Sequence, residues 1–464
     1  MIDLKGTSWQ QRYSASAIYT LRCRMLDRPG AIGEVCSAIG RADAHMGPMR
    51  RISVDDRHIV WEVTIYLKSK EQLDKVLQAI GSIKDVEVTK VFDDILEIHR
   101  RGSIQTISRV PLRSQTDLRM LYTPGVASVC LEVQKNPQSA WEWTGICDRV
   151  AIVTNGTAIL GLGDIGPLAG LAVMEGKAAI LAEFVGISGV PILLDTKDPD
   201  TFVEAVVLMS SGFGAIQLED VAAPACFEIE EKLKRRLDKP IFHDDQHGTA
   251  TIVLATLISA LKKTGKNAKD CSVLILGAGA AGTAVSRMLL EFGIGDIVVY
   301  DSIGAVYRGR TGNMNPYKQK LAEITNKNNE KRPLAEGFRG KDIFIGVSRP
   351  NMVSKEMVGS MAARAIVLPL ANPVGEISTE EALEAGAAVA ADGRAVNNAL
   401  AYPALFRGAL DARATAITME MKMAAARKLA ELAPEDELLP DILDRNVHRT
   451  VAQAVVQAWR AQKL

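Results

Sequence analysis

The 464-residue chain carries no surplus of charge, with Lys and Arg totalling 55 and Asp and Glu also totalling 55. Without a basic excess, the composition recommends neither nucleic acid nor acidic lipid as a partner. Cysteine is scarce. The six residues (Cys23, Cys36, Cys130, Cys147, Cys226 and Cys271) are scattered, with no C-x-x-C pair. That argues against a disulfide framework or a zinc knuckle, and for reduced thiols in a cytoplasmic protein. Long apolar runs are missing too. The start, "MIDLKGTSWQQRY", lacks the apolar core of a signal peptide. The most apolar region, 168–194, is broken by Glu175, Lys177 and Glu183, so no membrane span is expected. There is no internal repeat or low-complexity stretch. What remains is a soluble, enzyme-sized chain of about three domains, at roughly 150 residues each.

Residues 1–100 read as a small α+β module. "AIYTLRCRML" has strand character, "DRPG" is a turn in which Pro fixes one dihedral, and "AIGEVCSAIGRA" has helical apolar spacing. Two alternating strands, a helix and the strand "VEVTKVF" complete the order βαββαβ, the ferredoxin-like plan. Residues 101–269 alternate apolar strands ("VPILLD", "GAIQLED", "KPIFHDD") with long helices, which predicts a parallel sheet covered on both faces. Ligands of such sheets sit at the carboxyl ends of the strands. Residues 270–400 form a second α/β unit, and 401–464 is mostly helical. That tail is too small for its own core and is expected to pack back on the earlier α/β domain.

G-x-G-x-x-G occurs twice. Gly277, Gly279 and Gly282 (with Ala278, Ala280 and Ala281 between them) follow the strand "SVLIL" and open a helix, and Asp301 ends the next strand 19 residues after Gly282. This is the Rossmann context: the glycines admit pyrophosphate to backbone N–H groups and a helix N-terminus. An acid at the second strand's end accepts from ribose hydroxyls and repels a 2′-phosphate, favouring NAD over NADP. The other match, Gly161, Gly163 and Gly166, has Asp164 inside the loop, where a carboxylate would oppose a phosphate. It reads as a structural turn lining the active cleft.

"PIFHDDQHGTA" (240–250) poses a sharper question. A zinc-protease helix needs Glu after the first histidine, and here Asp244 follows His243, with a Gly-Thr pair after His247 that places the helix start beyond the motif. An aspartate before "GTATIVLATLISAL" can cap a helix, which explains one acid and not two. Glu219–Asp220 and Asp244–Asp245 both end apolar strands. Neighbouring parallel strands would gather them at one rim, where oxygen ligands suit Mg²⁺ or Mn²⁺. Lys177, in an apolar helix, is either a snorkelling surface lysine or a buried amine with a depressed pKa, fit for general-base work.

"LYTPGVA", "ILGLGDIG", "EGKAAI", "LED", "FHDDQHGTA", "GAGAAG" and "ANP", in this order, resemble the malic enzymes in their shorter bacterial form. "DRPGAIGEV", with its topology, resembles an ACT domain, a family that binds small effectors, often across a dimer interface. The resemblance implies oxidative decarboxylation of L-malate to pyruvate with NAD and a divalent metal, in a homodimer or higher homo-oligomer. It implies metal ligands at Glu219, Asp220 and Asp245, with Asp244 beside a catalytic Lys177 and Tyr122 as proton donor. Asn372 and Asn398 match asparagines that hold substrate and nicotinamide, although Asn also orders loops locally. Ala158 stands where the longer animal-type enzymes place a carboxylate-gripping arginine, which leaves the reader of the far carboxylate unassigned; Arg349 receives no role. A malolactic reaction and a catalytically inactive effector sensor are the rival readings.

Overall fold

A computed structural model describes residues 17–462. Contacts divide the chain into two units, meeting at Gln105 and Thr106 rather than at 100. The first runs β1 (Ile18–Leu26), α1 (Ala31–Arg41), β2 (His45–Val54), β3 (His58–Tyr66), α2 (Gln72–Gly81) and β4 (Val86–Asp93). Its antiparallel sheet has the order β2–β3–β1–β4, the ferredoxin-like arrangement expected of βαββαβ. Alternate residues of β1 (Leu21, Cys23, Met25) point inward and meet Val35 and Ile39 of α1 and Val76 and Ile80 of α2. The strand period of two and the helical period of 3.6 thus converge on one core.

In the second unit, α3 (Gln115–Leu121) and α4 (Val126–Lys135) precede two sheets. The first sheet is parallel, in the order β6–β5–β7–β8, from β5 (Arg149–Thr154), β6 (Ser188–Leu193), β7 (Ala215–Leu218) and β8 (Ile241–His243). Its crossovers include α5 (Leu171–Val185), α6 (Pro199–Met209) and α7 (Ala225–Arg236). Strands β7 and β8 are buried throughout, as befits a sheet covered on both faces.

Helix α8 (Asp244–Thr264) then leads to the second sheet, in the order β11–β10–β9–β12–β13–β14. Its strands are β9 (Ser272–Leu276), β10 (Asp296–Asp301), β11 (Gly304–Ala305), β12 (Ile343–Gly346), β13 (Ile366–Pro369) and β14 (Val389–Ala390); all but β11 are parallel. The strand order reverses at β9, the switch point at which α/β sheets bind ligands. Helix α9 (Ala280–Phe292) starts there, and α10 (Pro316–Ile324) follows β11. A Cβ at 282 would stand 1.8 Å from the Gly277 carbonyl oxygen, so the third glycine is what lets helix and loop close up.

The C-terminal helices α11 (Tyr402–Asp411), α12 (Met419–Leu432) and α13 (Arg445–Ala461) do return to earlier elements, and to more than the first sheet. Helix α11 packs on α5, with Phe406 edge-on to Phe242 at 5.4 Å, whereas α12 packs on both α8 and α9. All six cysteines are free. Among the described residues, no helix is long and apolar enough to cross a membrane.

Candidate active site

Register brings the acids together. Leu218 of β7 pairs with His243 of β8, so the next residue on each side, Glu219 and Asp244, leaves the sheet at the same rim. Oxygens of Glu219, Asp220 and Asp245 lie within 4.8 Å of one another. Helix α8 begins at Asp244 itself, not beyond the motif as the Gly-Thr pair suggested. The sequence after His247 is helical because Gly248 removes a clash: a Cβ there would meet Asp244 Oδ1 at 1.9 Å. Neither aspartate is the capping residue, which is His243; both sit in the first turn, at the helix's positive end.

Lys177, on α5, points into this cluster. Its Nζ donates to Asp244 Oδ2 at 2.5 Å and lies 2.9 Å from Glu219 Oε1, with the side chain 18% exposed. Snorkelling is thereby excluded. The ring of Tyr402 lies 4.8 Å from the same ammonium. Burial presses the amine towards neutrality, but Asp244 and then Glu219 outweigh it and hold Lys177 well above its usual range. The expected depression is therefore absent from the site as its own residues build it. Nearby carboxylates win over desolvation.

The same balance leaves the acids in difficulty. Burial first, and the neighbouring carboxylates after it, raise Glu219 well above its usual range. Burial and Asp245 push Asp220 up to about 7. Four carboxylates share one ammonium, and Asp220 Oδ2 and Asp244 Oδ1 are buried without a hydrogen-bond partner among the described residues. Asp245 Oδ2 accepts from the Asp220 N–H at 3.0 Å and lies 3.3 Å from His243 Nε2. Unsatisfied anionic oxygens in an oxygen-only set fit a hard dication such as Mg²⁺ or Mn²⁺.

A cleft of about 410 Å³ opens over this rim, a size suited to a small ligand. Lys177, Glu219, Asp220 and Asp245 line it together with Ala281, Ser348, Asn372 and Asn398. The two glycine loops meet here: Gly161 lines the cleft and packs so tightly on the Asn372 carbonyl that a Cβ would approach it to 2.3 Å. Asn398 Nδ2 donates to Asp244 Oδ2 at 3.3 Å and to Thr249 Oγ1 at 3.1 Å, fixing the acid that faces Lys177. Ala158 also lines the cleft, whereas Arg349 does not.

Two expected residues stand differently. Tyr122, at the end of α3, is 67% exposed and does not line the cleft. Asp301 ends β10 beside the Gly277 loop, as predicted, yet its carboxylate is already engaged. It accepts from Arg310 Nη1 at 2.9 Å, Lys318 Nζ at 2.7 Å, Asn313 Nδ2 at 3.1 Å and the Ile303 N–H at 3.1 Å, and again from Arg310 Nη2.

Family comparisons follow this geometry. A model of the malic enzyme N-terminal domain matches residues 101–234, and one of the malic enzyme NAD binding domain matches 246–459. The chain belongs to the malic enzyme family. It is 42% identical over 438 residues to an NAD-dependent malic enzyme of Geobacillus stearothermophilus, covering 92% of this chain and 91% of that one. NAD-dependent malic enzyme 1 of Bacillus subtilis is 40% identical over 443 residues, covering 95% and 97%. Among solved structures, the NAD-dependent malic enzyme of Thermotoga maritima is 37% identical with a TM-score of 0.76, covering 79% of this chain and 99% of that one. The NAD-binding match extends from α8 to the last helix, beyond the 270–400 read from the sequence, because α8 and α12 pack against α9.

The sequence did not reveal what supports this malic enzyme site from behind. Glu230 of α7 lies buried under α8, where it accepts from His247 Nε2 at 2.8 Å and pairs with Lys234 at 2.9 Å. Burial opposes the Glu230 charge, but His247 and Lys234 overcome it and hold the carboxyl low. Burial keeps His247 neutral, down to about 3, so Nε2 carries the proton for Glu230 and Nδ1 accepts from Lys422 at 3.2 Å. Only an elevated density of charge in "CFEIEEKLKRR" could have hinted at this anchor.

Proposed function

We propose that the protein oxidises and decarboxylates L-malate to pyruvate and CO₂ with NAD⁺ and a divalent metal. The observation that carries this is the Lys177 amine, held on Asp244 beside the carboxylates of Glu219, Asp220 and Asp245 and facing a cleft that reaches the Gly277–Gly282 loop. Glu219, Asp220 and Asp245 are the residues suited to hold the dication, and Gly277, Ala278, Gly279, Ala280, Ala281 and Gly282 the loop suited to the dinucleotide. When bound, these groups supply Lewis-acid charge and a hydride acceptor.

The chain's own residues do the rest. Lys177 takes the C2 hydroxyl proton, and Asp244, fixed by Asn398, orients the amine for that transfer. Positive charge in the carboxylate cluster would offset the acids that now hold Lys177 protonated, returning its pKa towards the working range. Asn372 and Asn398, which line the cleft, are suited to hold the substrate there. Protonation of C3 by Tyr122 rests on the "YTPGVA" motif alone, because that ring lies outside the cleft of the single chain.

The first unit, with its βαββαβ fold and "DRPG" junction, is assigned effector binding as an ACT-like module. Self-association as a homo-oligomer is supported by the exposed run of Val110, Leu112, Leu118, Met120 and Leu121. The decisive assay supplies malate, Mn²⁺ and NAD⁺ to the purified protein. NADH and pyruvate should accumulate in equal amounts. Lactate without net NADH would establish the malolactic reaction instead, and no turnover with either nucleotide would favour the sensor.

A further inference from the structure

Behind the cleft lies an acid that the malate chemistry does not use. Glu376 is wholly buried, in the loop that follows β13. Its Oε1 accepts from the Ser348 N–H at 2.7 Å and its Oε2 from the Ala371 N–H at 3.2 Å. Both donors are backbone groups, and no cation among the described residues opposes its charge. An N–H on each oxygen is the pattern of an ionised carboxylate, since a protonated one would have a donor of its own to place. Burial pushes the carboxyl up from its usual range, and the Ser348 and Ala371 N–H groups oppose that rise. The fold also keeps room for this acid: a Cβ at Gly346 would stand 2.3 Å from the Glu376 carboxyl carbon.

Position gives the charge its meaning. Ser348 and Ala371 follow the adjacent parallel strands β12 and β13 and both line the cleft, as do Val347 and Asn372. The Val347 carbonyl abuts the glycine loop, where a Cβ at Gly277 would meet it at 2.4 Å, and the Asn372 carbonyl abuts Gly161. A dinucleotide with its pyrophosphate on the Gly277 loop must carry its nicotinamide past these residues to meet a substrate carbon beside Lys177. Glu376 stands one backbone N–H behind that path. It acts through its field, from a buried place where charge is weakly screened. The oxidised nicotinamide ring bears a positive charge that the reduced ring lacks.

We infer that Glu376 is a specificity-determining residue for the redox state of the nucleotide: its buried negative charge holds the cationic nicotinamide of NAD⁺ more tightly than the neutral ring of NADH. The inference rests on the dinucleotide site of the proposed function and not on the identity of the substrate. A charge placed in this way favours capture of the oxidised nucleotide before reaction and release of the reduced one after it.

The test is nucleotide binding to the full chain without malate or metal. NADH is read by its fluorescence, and NAD⁺ and ADP-ribose by displacing it. Glu376→Gln keeps the shape of the side chain and removes its charge. It should weaken NAD⁺ by about tenfold, the scale of one partly screened charge pair, and leave NADH and ADP-ribose within about twofold. Glu376→Asp keeps the charge and shortens the reach, so its ratio of NAD⁺ to NADH affinity should stay near that of the unaltered protein. A thermal melt of each variant checks folding. An unchanged ratio in Glu376→Gln, with all three ligands bound as before or weakened alike, would make the acid a brace for two loops and overturn the inference. So would a tenfold fall of the ratio in Glu376→Asp. An unaltered protein that binds none of the three would remove the dinucleotide site itself, and the inference with it.

Discussion

Two acidic strand ends of the second unit are built in opposite ways. At the β7–β8 rim, four carboxylates surround one lysine, and two of their oxygens are buried without a partner among the described residues. At the end of β10, one carboxylate is surrounded by two cations and has no oxygen to spare. The first is an incomplete electrostatic unit that a dication would finish. The second is complete in the protein alone. An unsatisfied buried charge is costly, so it persists where binding or chemistry uses it; a satisfied one serves position.

The sharpest way to break this contrast is at Lys177. Lys177→Ala should lower malate oxidation by roughly a thousandfold, the scale of lost general-base catalysis, while NADH still binds. Steady-state rates together with nucleotide fluorescence check it. Retained turnover would show that the amine is only a counter-ion for Asp244, and the rim would then be structural after all.

Much of this rim was legible in the sequence, and for a physical reason. Apolar strands of set length ending in acid pairs can lie only in a covered parallel sheet, and the sheet's register then delivers Glu219 opposite Asp244. The glycine loop before α9 was equally plain, because tight turn and helix start are local. What stayed hidden depends on distant partners. Tyr402 reaches Lys177 across 225 positions, and Lys422 reaches His247 across 175. Asp301 ends β10 as expected, but its partners were hidden: Arg310 and Lys318 fold back on it through a loop whose path no periodicity records. The start of α8 was misplaced because Gly248 looked like a helix breaker, whereas it makes room for the Asp244 carboxylate.

Stability should separate the two strand ends next. Asp220 is raised to about 7 by burial and by Asp245, above its unfolded value of about 3.9. A raised carboxyl stabilises the fold fully below the unfolded value, and that contribution is lost as pH rises through the folded one. Metal-free Asp220→Asn should therefore be more stable than the unaltered protein at pH 8, by on the order of 2–4 kcal/mol, with the gap closing towards pH 4. Mn²⁺ at about a hundred times its Kd should add about 2.7 kcal/mol to the unaltered protein, and far less to the variant. Urea unfolding with chelator and with Mn²⁺ measures both. If Mn²⁺ adds nothing to the unaltered protein, the acids do not hold a dication.

Asp301→Asn should give the opposite sign and the smaller pH response. Burial would raise this carboxyl, but Arg310 and Lys318 hold it below its ordinary value. A depressed carboxyl stabilises the fold above its unfolded pKa, and the gain is lost as pH falls through the folded one. The variant leaves two largely buried cations facing a neutral amide, so it should be less stable at pH 7 by about 3 kcal/mol. Below about pH 4 the gap should begin to narrow, because the unfolded carboxyl then takes up a proton while the native one, held lower, still carries its charge. Because the pair is finished by protein groups, Mn²⁺ should leave this difference unchanged. Unfolding curves at pH 7 and pH 3.5, each with and without Mn²⁺, would expose a metal-sensitive gap, and with it a fault in the division between the two acidic ends.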